Sequence, residues 1–372
     1  MKMCIKKCGR WLLAMAVSVS LVAPQIAFAE SNDELKARID KLEKMVSELK
    51  SELTARDKVQ AMSSSDTSGG SGSIIEKLAG DIDVHGFVDT SYIFNANTPS
   101  GKTNSLRVFD TESNSFMLNL VELNLEKAVS MDSPFGFRVD LAYGNDASHF
   151  GSSGLGSTSD EFDLWQAYAQ FMLPFSVPMF YETDIKAGKF ATLLGAEVIE
   201  SKDDWNFSRS FLFGYAIPFN HTGVRVHVKP FEEYDLDLTL GVVNGWDNVT
   251  DNNKAKTIEG QIAFSPMENM SFIVNGIFGS EKDDINGDYR TVIDLIWTYD
   301  VTDKLSLMAN YDYGYEKNGV ESGKDAQWDG VAGYAKYAIF DWWSIGCRGE
   351  YFHDRNGVRT GVASSIGIND AS

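Results

Sequence analysis

The stretch Phe135-Gly136-Phe137-Arg138-Val139-Asp140-Leu141-Ala142-Tyr143 alternates residue by residue, with Phe, Phe, Val, Leu and Tyr at one parity and Gly, Arg, Asp and Ala at the other. A period of two sends successive side chains to opposite faces of a strand, so the segment predicts a β-strand with one apolar, aromatic-ended face and one charged face. The same dyad begins at Ile82, where Ile82, Val84, Val88, Thr90 and Tyr92 alternate with Asp81, Asp83, His85, Asp89 and Ser91. It returns in Val224, Val226 and Val228 against Arg225, His227 and Lys229, and in Leu236, Leu238, Leu240 and Val242 against Asp235, Asp237, Thr239 and Gly241. Later copies set Leu305, Leu307, Ala309, Tyr311 and Tyr313 against Ser306, Asn310 and Asp312, then Trp343, Ile345, Cys347 and Tyr351 against Ser344, Gly346, Arg348 and Glu350.

A soluble β-sandwich alternates too, so the connections have to decide. Long polar connections are expected at about 95–115, 145–161, 191–220, 244–256, 279–289 and 316–327. Between them fall short ones at 130–134, 229–234, 265–269, 300–303 and 341–342, with 174–182 somewhat longer. Long loops on one rim and tight turns on the other are the pattern of a transmembrane antiparallel β-barrel; a sandwich has no reason to segregate its loops. The reading gives about 13 strands. Single-chain bacterial barrels close with an even number, and Ser364–Ser372 does not read as a terminal amphipathic strand. The expectation is therefore a C-terminally incomplete barrel of about 16 strands, a size that leaves an aqueous channel.

Ahead of the barrel the pattern differs. Lys2, Lys6, Lys7 and Arg10 precede an apolar run from Trp11 to Ala23 and the small-residue site Ala27-Phe28-Ala29, which reads as a secretory signal peptide over 1–29. The apolar run is short of the roughly 20 residues an anchor helix needs. Over 30–60, Leu35, Ile39, Leu42, Val46, Leu49 and Leu53 recur at steps of four and three, predicting a short α-helical coiled-coil segment in the periplasm; a single solvated amphipathic helix is the alternative. Residues 61–80 are a Ser/Gly-rich linker, and 81–372 the barrel.

Composition narrows the function. The chain has 53 acidic and 33 basic residues, and removing the first 29 residues leaves 29 basic ones, a net charge near −24 that argues against a nucleic-acid partner. Of three cysteines only Cys347 lies beyond the signal, so an exported chain has no internal disulfide framework. A mean hydropathy of −0.20 fits a barrel, in which lipid-facing and water-facing residues average near neutral. His85, His149, His221, His227 and His353 share no ligand spacing, and Asp283-Asp284-Ile285-Asn286-Gly287-Asp288 lacks the full pattern of a Ca²⁺ loop. The latter reads as a solvated loop tip. No nucleophile elbow or phosphate loop appears, so neither an enzyme nor a cofactor or metal site is expected.

Several segments together resemble the OmpL-like family of β-barrel porins. They are Arg107-Val108-Phe109-Asp110 with Phe116-Met117-Leu118-Asn119, Ala187–Val198 (AGKFATLLGAEV), Ser208–Phe219 (SRSFLFGYAIPF), His221–Arg225 (HTGVR), Val243–Asn248 (VNGWDN) and Arg348–Gly361 (RGEYFHDRNGVRTG). They occur in order between Ile82 and Gly361. The resemblance implies a channel in the outer membrane of a Gram-negative bacterium; the C-terminus departs from it, since family members look as if they continue through more strands.

The long connection at 191–220 is the candidate site. It mixes Glu197, Glu200, Asp203, Asp204 and Arg209 with Trp205, Phe207, Phe211, Phe213 and Tyr215, too much apolar surface for a loop in water. It is expected to fold into the lumen as a pore constriction, its carboxylates facing wall cations Arg138, Arg225 and Arg348; the alternative is packing over the mouth or on a neighbouring subunit. Arg138, Asp140, Arg225, Asp237, Arg348 and Glu350 are the candidate lumen-wall residues. The reading is a porin that passes small hydrophilic solutes or ions, meets outer-membrane lipid and forms a homo-oligomer. The heptad core leans towards two strands, whereas porins of this kind are commonly trimers. The competing reading is a structural barrel that tethers the membrane to the cell wall or a periplasmic partner through the coiled coil.

Overall fold

The structure, a computed structural model, describes residues 82–156, 161–177, 179–362 and 370–371. The expected signal peptide, coiled-coil helix and linker lie outside the described residues. Thirteen long strands follow one another as β1 (Asp83–Ile93), β2 (Ser115–Lys127), β3 (Phe135–Tyr143), β4 (Phe162–Met172), β5 (Glu182–Ala191), β6 (Asn220–Lys229), β7 (Leu236–Val243), β8 (Thr257–Met267), β9 (Met270–Lys282), β10 (Ile285–Thr302), β11 (Leu305–Glu316), β12 (Ala326–Phe340) and β13 (Trp343–Asp354). A two-residue β14 (Asp370–Ala371) pairs with Phe352 and His353 of β13. Every strand pairs antiparallel with its sequence neighbour in one continuous sheet, as the period-two segments predict.

Burial identifies the sheet's two environments. On one face stand Val88 at 65% exposure, Leu240 at 61%, Val224 at 48% and Val331 at 48%. On the other, Glu259 is 1% exposed and Asp140, Asp294 and Asp312 are 0%. In water this arrangement is upside down, because charges are rarely buried and a contiguous apolar surface is costly. In a bilayer it is the expected one: apolar residues meet lipid, and polar residues meet the interior. Aromatic pairs sit near both rims of the outer face, Phe135 with Phe171 at 4.7 Å and Phe340 with Trp342 at 5.8 Å towards the short turns, Tyr92 with Phe116 at 4.7 Å and Phe278 with Tyr289 at 4.9 Å towards the long loops.

One expected long loop is absent. At 279–289 the chain makes a two-residue turn at Asp283-Asp284, with Asp284 at φ 58°, a conformation that Asp tolerates. Asn286, Gly287 and Asp288 belong to β10, and Asp288 accepts an ion pair from Lys282 at 3.0 Å. The acidic run is therefore the exposed tip of a hairpin rather than part of a long loop. Polarity misled the reading because a hairpin that projects past the apolar band is wetted on both faces and has no alternation to show.

Candidate functional site

Residues 192–219, between β5 and β6, form the longest excursion inside the sheet. A 3₁₀ turn (Ser201–Asp203) and a single π-type turn (Leu212–Ala216) give this loop its only regular structure. Its apolar residues Leu194, Ile199, Leu212, Phe213 and Ile217 are all buried, and Phe109 from the connection between β1 and β2 packs at a tilt against Phe213 at 5.9 Å and edge-to-face with Phe219 at 5.6 Å. Burying this cluster removes from water the surface that made the segment an improbable free loop.

Strands from across the sheet hold the loop. Ser201 Oγ donates to Asp89 of β1 at 2.6 Å, Trp165 Nε1 of β4 donates to Glu200 at 3.0 Å, and the Gly195 amide donates to Asp294 of β10 at 2.8 Å. Trp328 Nε1 of β12 donates to the Ala216 carbonyl at 3.1 Å, and the Phe211 amide donates to Glu350 of β13 at 2.6 Å. Arg348 of β13 makes the densest contact: it pairs with Glu197 at 2.9 Å, donates to the Arg209 carbonyl at 2.9 Å and also reaches the Ser208 carbonyl. Nearby, Gly346 lets the loop backbone press on the wall, since a Cβ there would collide with the Trp205 carbonyl oxygen. Strands so far apart in the order meet one segment only if the sheet curls around it.

The sequence-predicted residues divide into three groups. Glu197, Asp204 and Arg209 are buried inside the loop or against the wall: Arg209 lies 3.3 Å from Asp204, donates to the carbonyls of Val198, Phe207 and Ile199, and stacks over Phe109 at 4.9 Å. They fix the loop's shape. Burial raises the Asp204 carboxyl well above the usual carboxylate range, against the pull of Arg209. Glu200 and Asp203 border a cavity, Asp203 paired with Lys202 at 2.5 Å. On the wall, Arg348 and Glu350 pair with each other at 3.2 Å and with the loop, while Asp237 accepts from His227 at 2.8 Å.

Two expected contacts are corrected. Arg138 faces its wall neighbours, with Asp140 at 2.8 Å and Glu126 at 3.5 Å, and Arg225 forms a two-toothed pair with Glu259 at 2.7 and 2.9 Å. Only Arg348 of the three wall cations meets a loop carboxylate in an ion pair among the described residues. Cross-strand register decides these partners: Arg138 and Asp140 share a face two residues apart, and Arg225 reaches over β7 to β8. Asp89 stands in the alternating sequence only as a polar-face residue, and Glu122, Trp165 and Asp294 lie outside the sequence-predicted set. The available signal for Glu122 is the alternation Glu122, Asn124, Glu126 against Val121, Leu123, Leu125.

The connection between β3 and β4 adds another buried acid. Asp146 precedes a one-turn helix, α1 (Ala147–Phe150), and its Oδ1 has no hydrogen-bond partner. Burial pushes its carboxyl up to about 7, with Arg209 opposing and Asp89 and Asp110 reinforcing.

The family described as "Putative beta-barrel porin-2, OmpL-like" matches residues 81–372. Among curated proteins none matches the chain in sequence. Similar solved structures include an anion-selective porin from Comamonas acidovorans, at 11% identity over 74% of this chain and 79% of that one, TM-score 0.47. A loop L8 deletion mutant of OmpT, an outer membrane protein of Vibrio cholerae, aligns at 13% identity over 74% of this chain and 94% of that one, TM-score 0.39.

Proposed function

We propose, from the premise that this chain belongs to the OmpL-like family of β-barrel porins, that it passes small hydrophilic solutes or ions across the outer membrane by passive diffusion. One observation carries the reading: the 192–219 loop lies inside the curled sheet, tied to β1, β4, β10, β12 and β13. A loop anchored on so many sides narrows the lumen at a fixed place, and the radius and charge there set which solutes pass. In this reading Glu200 and Asp203 face the path, while Glu197, Asp204 and Arg209 hold the constriction in shape. The apolar outer face meets outer-membrane lipid, and a homo-oligomer packs through part of it. The N-terminal heptads contribute to that assembly from the periplasm.

The test is single-channel conductance of the full-length protein in planar bilayers. Stable ion-conducting steps that grow when the loop is shortened between Gly195 and Phe211 support the reading. A folded, heat-modifiable barrel that never conducts overturns it in favour of a structural barrel.

A further inference from the structure

Beneath the loop, beside β2 and β4, lies a cavity of about 280 Å³. Its charged lining cancels in pairs, with two exceptions. Glu197 is taken by Arg348, Asp203 by Lys202, and Arg138 by Asp140 and Glu126. What remains is Glu122 on the wall and Glu200 on the loop, both bordering the cavity. Neither has an ion pair among the described residues.

Glu122 is the telling group. It is 3% exposed, its Oε1 accepts from the Asn124 amide, and its Oε2 has no hydrogen-bond partner. A buried carboxylate oxygen left without a donor loses its hydration and gains nothing in return, so such a group in a native site calls for a ligand. Glu200 is steadied from behind by the Trp165 indole N–H. Much of the remaining lining is apolar: Trp165, Leu194, Phe213 and Phe219.

This chemistry selects among cations. A calcium ion takes six to eight oxygen ligands. Two carboxylates and the Asn124 amide oxygen fall short of that number, the Gln166 and Thr192 oxygens already accepting from backbone amides, and no group of three metal-ligating acids, histidines or cysteines occurs among the described residues. An alkylammonium fits both parts, its charge between the carboxylates and its carbon chain against the apolar side chains.

We propose that the cavity between Glu122 and Glu200 binds small organic ammonium ions and makes the channel cation-selective. The inference rests on the channel reading above for its consequence, but the binding site itself does not require conduction.

The experiment uses the full-length protein in planar bilayers under a KCl gradient, with n-butylammonium as the probe. Wild type is expected to prefer K⁺ over Cl⁻ and to be blocked by n-butylammonium. Glu122→Gln and Glu200→Gln should each weaken the block roughly tenfold or more, the loss of one charge-assisted contact, and lower the K⁺ preference. Glu122→Asp, which keeps the charge, should retain most of both. Heat-modifiability reports folding of each variant, and Glu200→Gln, on the loop, carries the test should the wall variant not fold. Conducting Glu122→Gln and Glu200→Gln channels with unchanged selectivity and unchanged block overturn the proposal. A folded barrel that carries no current fails the channel reading instead; calorimetric titration of that barrel with n-butylammonium then decides the site, heat of binding abolished by Glu122→Gln supporting it and no heat with wild type overturning it.

Discussion

The two faces of the wall obey different rules. Along β7 the outer residues Leu238, Leu240 and Val242 are exposed aliphatics whose only shared property is class. Along β13 the inner residues are individually matched: Arg348 to Glu197, Glu350 and the loop carbonyls, and Phe352 to Tyr215 at 6.3 Å. The outer face is specified by hydrophobicity, which any lipid-compatible side chain satisfies. The inner face is specified by partners, and each charge there is safe only while its counterpart stands at hydrogen-bond distance. Substitution should therefore be tolerated by class outside and punished individually inside.

The largest expected effect falls on the inner face. Arg348→Met leaves Glu197 and Glu350 buried without their cation and frees the loop from β13, which should destabilise the folded barrel by about 3–5 kcal/mol. Denaturant titration in lipid vesicles reads the loss, and the same channels should show larger and noisier conductance as the loop loosens. A variant of normal stability and quiet current would break the comparison, because the inner face would then tolerate substitution as the outer does.

On the outer face the expected result depends on class. Leu240→Arg sets a charge among lipid-facing aliphatics and should cost about 2–4 kcal/mol if the position lies near the bilayer midplane, falling towards zero near a rim. Leu240→Ile keeps the class and should cost under about 1.5 kcal/mol. Comparing the pair by urea titration in vesicles sharpens the rule; equal costs for the two would show that Leu240 is matched to a specific partner.

How far these rules can be read without a structure follows from the same contrast. The outer face writes itself into the sequence as alternation, so Phe135–Tyr143 and the Val224, Val226, Val228 series announce strands and their polarity. The loop at 191–220 betrays its place by carrying Phe211, Phe213 and Tyr215 where a wetted loop would not. The partners on the inner face are another matter. Arg225 meets Glu259 because β6, β7 and β8 pair in one register and because Gly241 between them has no Cβ to block the carboxylate. Register is a property of the assembled sheet, and nothing in the spacing of Arg225 and Glu259 declares it. The hairpin at Asp283-Asp284 failed for a related reason: beyond the apolar band no face is buried, and alternation vanishes while the strand continues.

A pH experiment probes an inner-side acid that lacks a matched partner. The carboxyl of Asp146 titrates near 7 when folded, above its ordinary 3.8, so the folded chain binds this proton more tightly than the unfolded one. Its contribution is fully present below about 4, is lost as pH rises towards 7, and is level above that. Asp146→Asn removes the slope. Its stability relative to wild type should therefore improve between pH 4 and pH 8 by at most about 4 kcal/mol, at about 1.4 kcal/mol for each of the roughly three pH decades over which the two states differ. Melting temperatures at the two pH values give the comparison, and a difference that does not change with pH would mean that Asp146 finds a partner or water that its buried setting conceals.

The smallest expected effect runs in the opposite direction and concerns a cross-strand pair on the inner face. Asp294 on β10 and Asp312 on β11 are directly opposite in register, and both are fully buried. Asp294 is well served, accepting from the Gly195 amide, Asn275 and Asn310 at 2.8, 2.8 and 2.5 Å. Asp312 has no hydrogen-bond partner at either oxygen, the adjacent Asn310 amide being committed to Asp294. Two carboxyl groups so placed resist carrying two charges, and the unserved one adds its own desolvation cost. Asp312→Asn keeps the shape, fixes this side of the pair in an uncharged state and offers an N–H to Asp294. It should stabilise the barrel by about 1 kcal/mol, the worth of one hydrogen bond. Asp294→Asn, by contrast, disturbs the acceptor that holds Gly195 and should be destabilising, so the two isosteric changes in one pair are expected to differ in sign. Outcomes of opposite sign in urea titrations support a mismatch at 312 beside a matched Asp294; stabilisation by both would mean that the loop does not depend on Asp294, and the anchoring of Gly195 would have to come from the packing of Leu194 and Ile217 instead.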